Sequence, residues 1–263
     1  MKKITRKELD KILEQHNLWL LGKGGEKADL SHTDLSCINL SGIDLRDADL
    51  RYADLSYTNL RSAILRNADL RGANLRGADL WKIDLRDADL READLSDIYL
   101  TNANLSGANL ANANLEDTDL TNTDLTNTDL RGSDLTNTDL RGSDLRNIKT
   151  NMFTIGYHLA CPEEGSFVAY KKANKCIVKL LILEDSKRSS ATTAKCRCDK
   201  AKVLEIKEIE TGKNVKRVSS NYNFAFIYEV GKVVTVDDFD EDRWNECSTG
   251  IHFFMNKENA INY

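Results

Sequence analysis

Residues 48–80 read ADLRYADLSYTNLRSAILRNADLRGANLRGADL, and the spacing of their leucines decides the fold. Leucine falls at every fifth position here, and the same step runs unbroken from Leu30 to Leu145, twenty-four leucines in all. The residue before each leucine is Asp or Asn in twenty-two cases, the exceptions being Ile64 and Tyr99. The residue two before is small, apart from Ile38, Ile43, Ile83 and Ile98. A period of five matches neither the α-helix nor the flat strand. On a helix, leucines five apart would step around the axis by about 140° and leave no apolar face. Burying one residue in five needs a chain that turns inward once per pentapeptide, which is a short-period solenoid. No proline interrupts residues 27–149, so a continuous backbone ladder is available.

The stretches ADLRYADLSYTNL, ADLRGANLRGADL and TDLTNTDLTNTDL carry a close resemblance to the pentapeptide-repeat family, whose motif is A(D/N)LXX. The resemblance spans about Ala28 to Asn147 and implies a right-handed quadrilateral β-helix with four pentapeptides per coil. The leucine and the residue two before it would face inward, and the other three would face out. Twenty-four repeats then make six coils, on the order of 29 Å of rod at the spacing of paired strands. The fold class expected is mainly β: a β-helix over residues 28–149, an N-terminal capping helix in residues 1–27 and an α+β domain in residues 150–263.

The flanks support that division. Thr5 and Glu8 have the spacing of a capping box, and Gly22, Gly24 and Gly25 stop the helix that follows. Leu9, Ile12, Leu13, Leu18 and Leu21 are its apolar positions. Beyond residue 150, strands are expected in GSFVAYKK, KCIVKLLILE, AKVLEIKEIE, FAFIYEV and KVVTVDDF, and short helices in DEDRWNEC and NKENAINY. CPEEGSFVAYKK, KRSSATTAKCR and DRWNECSTGIHFF resemble an uncharacterised domain that follows pentapeptide repeats in phage and bacterial proteins. That resemblance implies a phage or bacterial source and no particular activity.

Charge divides unevenly along the chain: net +3 in residues 1–27, −9 in residues 28–149 and +1 in residues 150–263. An acidic rod excludes non-specific duplex binding by the repeat. The start MKKITRKELDK has no apolar run behind it, and no stretch approaches a membrane span. With six scattered cysteines, the expectation is a cytoplasmic protein with reduced thiols.

With four repeats per coil, outward residues twenty apart share a column. Arg46, Arg66 and Arg86 form one, and Arg51, Arg71 and Arg91 the next, with Asp49, Asp69 and Asp89 placed to pair with them. The columns read either as a salt-bridged surface or as a patch for an anionic partner. Tyr52, Tyr57, Trp81 and Tyr99 are outward aromatics beside arginine, the composition of interface hot spots.

In the C-terminal domain, DSKRSSATTAKCRCDK puts Arg188, Ser189, Ser190, Lys195 and Arg197 in what reads as a surface loop able to hold a phosphate or nucleotide. Cys196 and Cys198, with Cys161, Cys247 or His252, lack the usual zinc spacing, so no metal is expected. The acidic run DDFDED lacks a calcium-loop pattern. GIHFFMNKENAINY resembles the GIYF…A.NY segment that lines the NAD pocket of ADP-ribosyltransferases, with His252 and Tyr263 in the pocket positions. The chain ends where that family continues to its catalytic Glu strand.

Together these readings describe a non-enzymatic binding or scaffold protein without a cofactor. The rod displays a rigid surface, and the C-terminal domain takes a protein partner or a nucleotide-like anion. Interference with a host protein or a signalling nucleotide is the implied role. Two alternatives stand beside it. Family members include DNA mimics acting on gyrase, which a net −9 rod fits loosely, and the last segment admits an NAD-binding pocket. Self-association of the rod is a further possibility, resisted by the domains at both of its ends.

Overall fold

The computed structural model describes residues 1–157, 160–245 and 248–263 and divides into two compact units, Met1–Tyr157 and His158–Tyr263. In the first unit, single-residue parallel bridges join each pentapeptide to the one twenty residues on, as in Asp29–Asp49, Asp34–Asp54, Asn39–Asn59 and Asp44–Ile64. Those four lines of bridges mean that four pentapeptides close one circuit. The last bridge is Asp134–Ile155. Each circuit is tied to the next by backbone hydrogen bonds such as Leu50 N to Asp69 O at 2.8 Å and Asp69 N to Ala48 O at 3.0 Å.

The pentapeptide's composition follows from its turn. The amide of Ala53 donates to Leu50 O at 3.1 Å, closing a tight turn whose third residue, Tyr52, has φ of 55°. All twenty-four of these corner residues have positive φ, the left-handed region that suits Gly and Asn. The Asp or Asn before each leucine accepts the amide two residues on, as Asp69 does from Arg71 N at 3.3 Å and Asn74 from Arg76 N at 3.1 Å. A short carboxylate or amide side chain is the group that reaches its own turn in this way. The leucines from Leu30 to Leu140 are buried, and so are the small residues two before them. Inward threonines are satisfied by the circuit below: Thr123 Oγ1 donates to Leu100 O at 3.0 Å and Thr128 Oγ1 to Leu105 O at 3.0 Å.

Helix α1 (Arg6–Leu20) follows β1 (Lys2–Lys3), which pairs in parallel with β2 (Thr33–Asp34). The capping box is present: Thr5 Oγ1 accepts Glu8 N at 3.2 Å, and Glu8 accepts Thr5 N at 2.8 Å. Of the expected apolar positions only Leu9 is fully buried, and Leu21 is exposed. His16 takes the second buried place, with Nδ1 accepting the amide of Ala28 at 3.0 Å. Periodicity missed it because histidine is not counted as apolar.

The second unit contains a seven-stranded sheet built from β3 (Phe167–Ala173), β4 (Cys176–Ile182), β5 (Arg188–Ser190), β6 (Lys195–Cys198), β7 (Lys200–Glu208), β10 (Val233–Thr235) and β11 (Ile251–Phe254). Its strand order is β10-β7-β4-β3-β11-β6-β5, every pairing antiparallel. A separate hairpin pairs β8 (Arg217–Ser219) with β9 (Ile227–Glu229). One face of the large sheet carries Ala169, Val178, Leu180, Val203, Ile206 and Phe253 into the core. The other face packs Ile177 and Phe254 against Ala260 of α2 (Lys257–Asn262).

Two expectations are corrected here. Residues 240–245 of the expected DEDRWNEC helix form turns, with Asp240 and Asp242 accepting the amides of Asp242 and Trp244. Side-chain capping of those amides competes with a helix; Glu246 and Cys247 lie outside the described residues. The stretch expected as the loop DSKRSSATTAKCRCDK instead supplies β5 and β6. Those strands are short and rich in cations, and tertiary bonds to their side chains outweigh their weak local propensity.

Candidate functional site

On the repeat stack, the two arginine columns are ladders of ion pairs. Arg46 meets Asp44 at 2.7 Å, Arg51 meets Asp49 at 2.5 Å, Arg71 meets Asp69 at 2.6 Å and Arg91 meets Asp89 at 2.6 Å. Arg66 and Arg86 share Asp84, at 2.6 and 2.9 Å. Arg51 and Arg71 also reach the Asp of the next circuit at 3.7 Å. The hydrogen bonds from Arg46 and Arg51 hold the Asp44 and Asp49 carboxyls below the ordinary carboxylate range. Every guanidinium of the two columns is therefore engaged, and at this exposure such pairs contribute little stability each.

A different arrangement occupies the side defined by the Asn59–Asp79–Tyr99 line of bridges. Arg61 pairs with Asp79 at 2.9 Å and lies 4.6 Å from the centroid of the Trp81 ring, and Lys82 Nζ lies 4.3 Å from the same ring. Tyr99 stands where Asp would close the turn, and its ring is 67% exposed. Tyr57, 66% exposed, sits at the corner leading into this side. A Cβ added to Gly77 would come within 2.5 Å of the Tyr57 ring, so the ring lies across the glycine of the next circuit. Tyr52 lies across Gly72 in the same manner and stacks on His32 at 5.1 Å. A glycine one circuit on is what lets each of these rings lie flat on the stack.

In the second unit, β3 and β11 meet at a single register pair, Tyr170 with Phe254, and a cleft of about 870 Å³ opens beside them. Lys171 of β3, Lys195 of β6 and His252 of β11 contribute to its lining, with Tyr263 following α2. Lys195 Nζ donates to Tyr263 Oη at 3.1 Å and lies 5.1 Å from that ring's centroid. The Lys171 ammonium forms no hydrogen bond or ion pair among the described residues. Its burial, with the charge of Lys195 adding to the effect, pushes its amine down to about 8. Tyr222, Phe226 and Tyr228 supply aromatic lining, and Asp237 and Asp238 supply carboxylates.

The cations expected to hold an anion in a loop are used in another way. Arg188 donates to the carbonyls of Pro162, Gly165, Leu183 and Glu184 at 2.9–3.1 Å. Arg197 is 2% exposed and donates to the carbonyls of Asp240, Asp242 and Thr249. Both guanidinium groups fasten loops to the sheet edge. Ser189 and Ser190 are buried in β5, where Ser190 Oγ accepts the amide of Ala160 at 2.8 Å. The structure thus brings Lys195 and His252 to the cleft and keeps Arg188, Ser189, Ser190 and Arg197 out of its lining. Cys161, Cys196 and Cys198 are buried free thiols; burial pushes Cys198 up, and a hydrogen bond with Cys161 raises Cys196. Cys247 lies outside the described residues.

Sequence reasoning missed Lys171, though a signal was present. In FVAYKKA the alternate positions are Phe167, Ala169, Lys171 and Ala173, which sets a lysine into an apolar stripe.

A turn-per-pentapeptide stack with buried leucines defines a repeat protein of the β-helix type. Residues 28–67, 68–107 and 108–147 match the family described as pentapeptide repeats, and residues 157–260 match a family of unknown function (DUF5758). Among solved structures, the chain is similar to a pentapeptide repeat protein from the Arabidopsis thaliana thylakoid lumen, at 38% identity over 41% of this chain and 68% of that one, with a TM-score of 0.30. It is similar to QnrB1, a plasmid-mediated fluoroquinolone resistance protein, at 25% identity over 48% of this chain and 78% of that one, with a TM-score of 0.35. It is similar also to Rfr23 from the cyanobacterium Cyanothece 51142, at 29% identity over 53% of this chain and 95% of that one, with a TM-score of 0.27. No curated protein matches the chain. The chain belongs to the pentapeptide-repeat family.

Proposed function

We propose that this protein is a non-enzymatic scaffold of phage or bacterial origin, acting in the cytoplasm, and that the side of its repeat stack bearing Trp81 and Tyr99 binds a protein partner. In this reading the stack is a right-handed quadrilateral β-helix of six coils with α1 as its N-terminal cap. The observation that carries the binding claim is the cluster of Tyr57, Arg61, Trp81, Lys82 and Tyr99 on and beside one side of the stack. Exposed aromatics with a guanidinium over an indole match the composition of binding hot spots. None of them is required by the pentapeptide: an Asp would serve the turn better than Tyr99, and an Asn would suit the corner better than Tyr57. A fixed backbone beneath the cluster lowers the entropy cost of recognition.

A gyrase-directed DNA mimic is the weaker reading. The carboxylates of Asp44, Asp49, Asp69, Asp84 and Asp89 are each covered by an arginine, which breaks the run of negative charge that mimicry of a duplex requires. The test is affinity capture from a bacterial host lysate with full-length protein. The expected result is a partner held by wild type and by Thr101→Ala, and lost with Trp81→Ala plus Tyr99→Ala. Equal capture by all three would overturn the reading. A supercoiling assay with purified gyrase is expected to show no effect, and inhibition by wild type would favour the mimic.

A further inference from the structure

The cleft beside β3 and β11 is independent of the repeat surface and is not used by the scaffold function. Its chemistry is uneven in an informative way. Lys171 brings an ammonium into a partly buried position where no carboxylate pairs with it among the described residues. A buried ammonium without a counter-charge is costly, and an incoming anion removes that cost. The charge of Lys195 falls on the same region and adds to the demand for an anion. The volume of about 870 Å³ is far larger than a bare phosphate or a small carboxylate needs and is in the range of sites for drug-sized ligands. Tyr222 and Tyr263, both exposed, offer rings to a planar group. Asp237 and Asp238 accept hydrogen bonds and would repel a ligand that was anionic throughout. The matching ligand has an anionic end, a planar ring and neutral hydroxyls between them.

We propose that this cleft is a nucleotide-binding site, with the Lys171 ammonium holding phosphate, Tyr222 and Tyr263 flanking the base, and Asp237 and Asp238 accepting the ribose hydroxyls. Lys171 works here as a binding charge and takes part in no bond-making. Its protonation is set first by burial and then by Cys198 and Lys195 on β6; His252 on β11, Tyr263 after α2, and Asp237 and Asp238 are the other titratable groups that line the cleft. Because the free amine ionises near 8, nucleotide affinity falls as pH is raised past that value. Arginine at position 171 stays charged throughout and abolishes the fall.

Isothermal titration of the full chain with a nucleoside diphosphate, the nucleoside alone and inorganic pyrophosphate tests the proposal. The diphosphate is expected to bind at least about tenfold more tightly than either fragment, since each fragment keeps only part of the contacts. Lys171→Met is expected to weaken it about tenfold or more, the effect of losing a charge-assisted contact, and Lys171→Arg to retain it without the decline above pH 8. Tyr222 is 85% exposed, so Tyr222→Ala leaves the fold intact and weakens the diphosphate without changing pyrophosphate. Three results would each overturn the proposal: no nucleotide binding by folded wild type at millimolar concentration, full affinity in folded Lys171→Met, or pyrophosphate bound as tightly as the diphosphate. Loss of partner capture by the repeat surface would leave all of these readings unchanged, so the two proposals fail separately.

Discussion

The first and second halves of the repeat stack use one pentapeptide to different ends. From Asp97 onward every corner residue is Asn, Asp or Gly, the types that accept a left-handed backbone most readily. Before it, the same backbone is imposed on His32, Cys37, Tyr52, Tyr57, Ser62, Lys82 and Glu92. The interiors differ too. The second half sets Thr118, Thr123, Thr128 and Thr138 inward, each bonded to a leucine carbonyl one circuit below, where the first half mostly sets alanine. The second half is optimised for stacking. The first half carries corner residues that stacking does not favour, Tyr52 and Tyr57 among them, with Trp81 beside the Lys82 corner; Tyr99 continues that side just past Asp97. Backbone strain held in one region and absent from its structural copy is the mark of a surface selected for something other than stability.

The comparison can be broken most forcefully through what the halves share. Leu75→Ala and Leu120→Ala each remove a fully buried side chain and are expected to cost about 2–5 kcal/mol in denaturant unfolding. A loss confined to one half would mean that the two do not share one continuous core. Next comes the feature unique to the second half. Thr123→Val keeps the volume and removes the side-chain donor to Leu100 O, which retains the Ala103 amide, for an expected loss of about 0.5–1.5 kcal/mol.

Acid separates the start of the stack from the rest. Burial holds the His16 imidazole below its ordinary value, and its Nδ1 must stay unprotonated to accept from Ala28. The unfolded chain therefore takes up the proton first, so stability is complete above the ordinary histidine range and declines as pH falls through it. Thermal midpoints measured from pH 7.5 to 5 are expected to fall in wild type more than in His16→Gln. Parallel curves would show that His16 does not couple docking of α1 to pH. The smallest effect is the most diagnostic of strain. Glu92→Gly is expected to stabilise by up to about 1 kcal/mol, because relief of about 1–2 kcal/mol of left-handed strain at φ 61° outweighs about 0.4–1 kcal/mol of added unfolded-chain entropy. Asn112→Gly, in the second half and in the same column, is expected to change stability by only a few tenths.

The leucine ladder made the repeat region legible because a five-residue period has few structural solutions. The ion pairing of Arg51, Arg71 and Arg91 was legible as well, since Asp49, Asp69 and Asp89 lie two residues away; the other column pairs instead with Asp44 and Asp84, which were not anticipated. The corner strain was not, because composition at position 52 or 92 carries no mark of φ until the turn is known. His16 was hidden by its polarity and Lys171 by its lysine neighbour at 172. The β5–β6 hairpin escaped because its arginines are held by carbonyls of Leu183, Glu184 and Thr249, well apart in the chain or beyond the strand. Bonds of that range leave no local pattern.

The claim that the aromatic-bearing side of the stack is specified for recognition is tested most directly by giving it the residues of the ordinary repeat. A variant carrying Tyr57→Asn, Trp81→Thr and Tyr99→Asp restores repeat-like residues at all three sites. Measured side by side for thermal midpoint and partner capture, it is expected to be at least as stable as wild type and to lose the partner. Full capture by a stable variant would contradict the account.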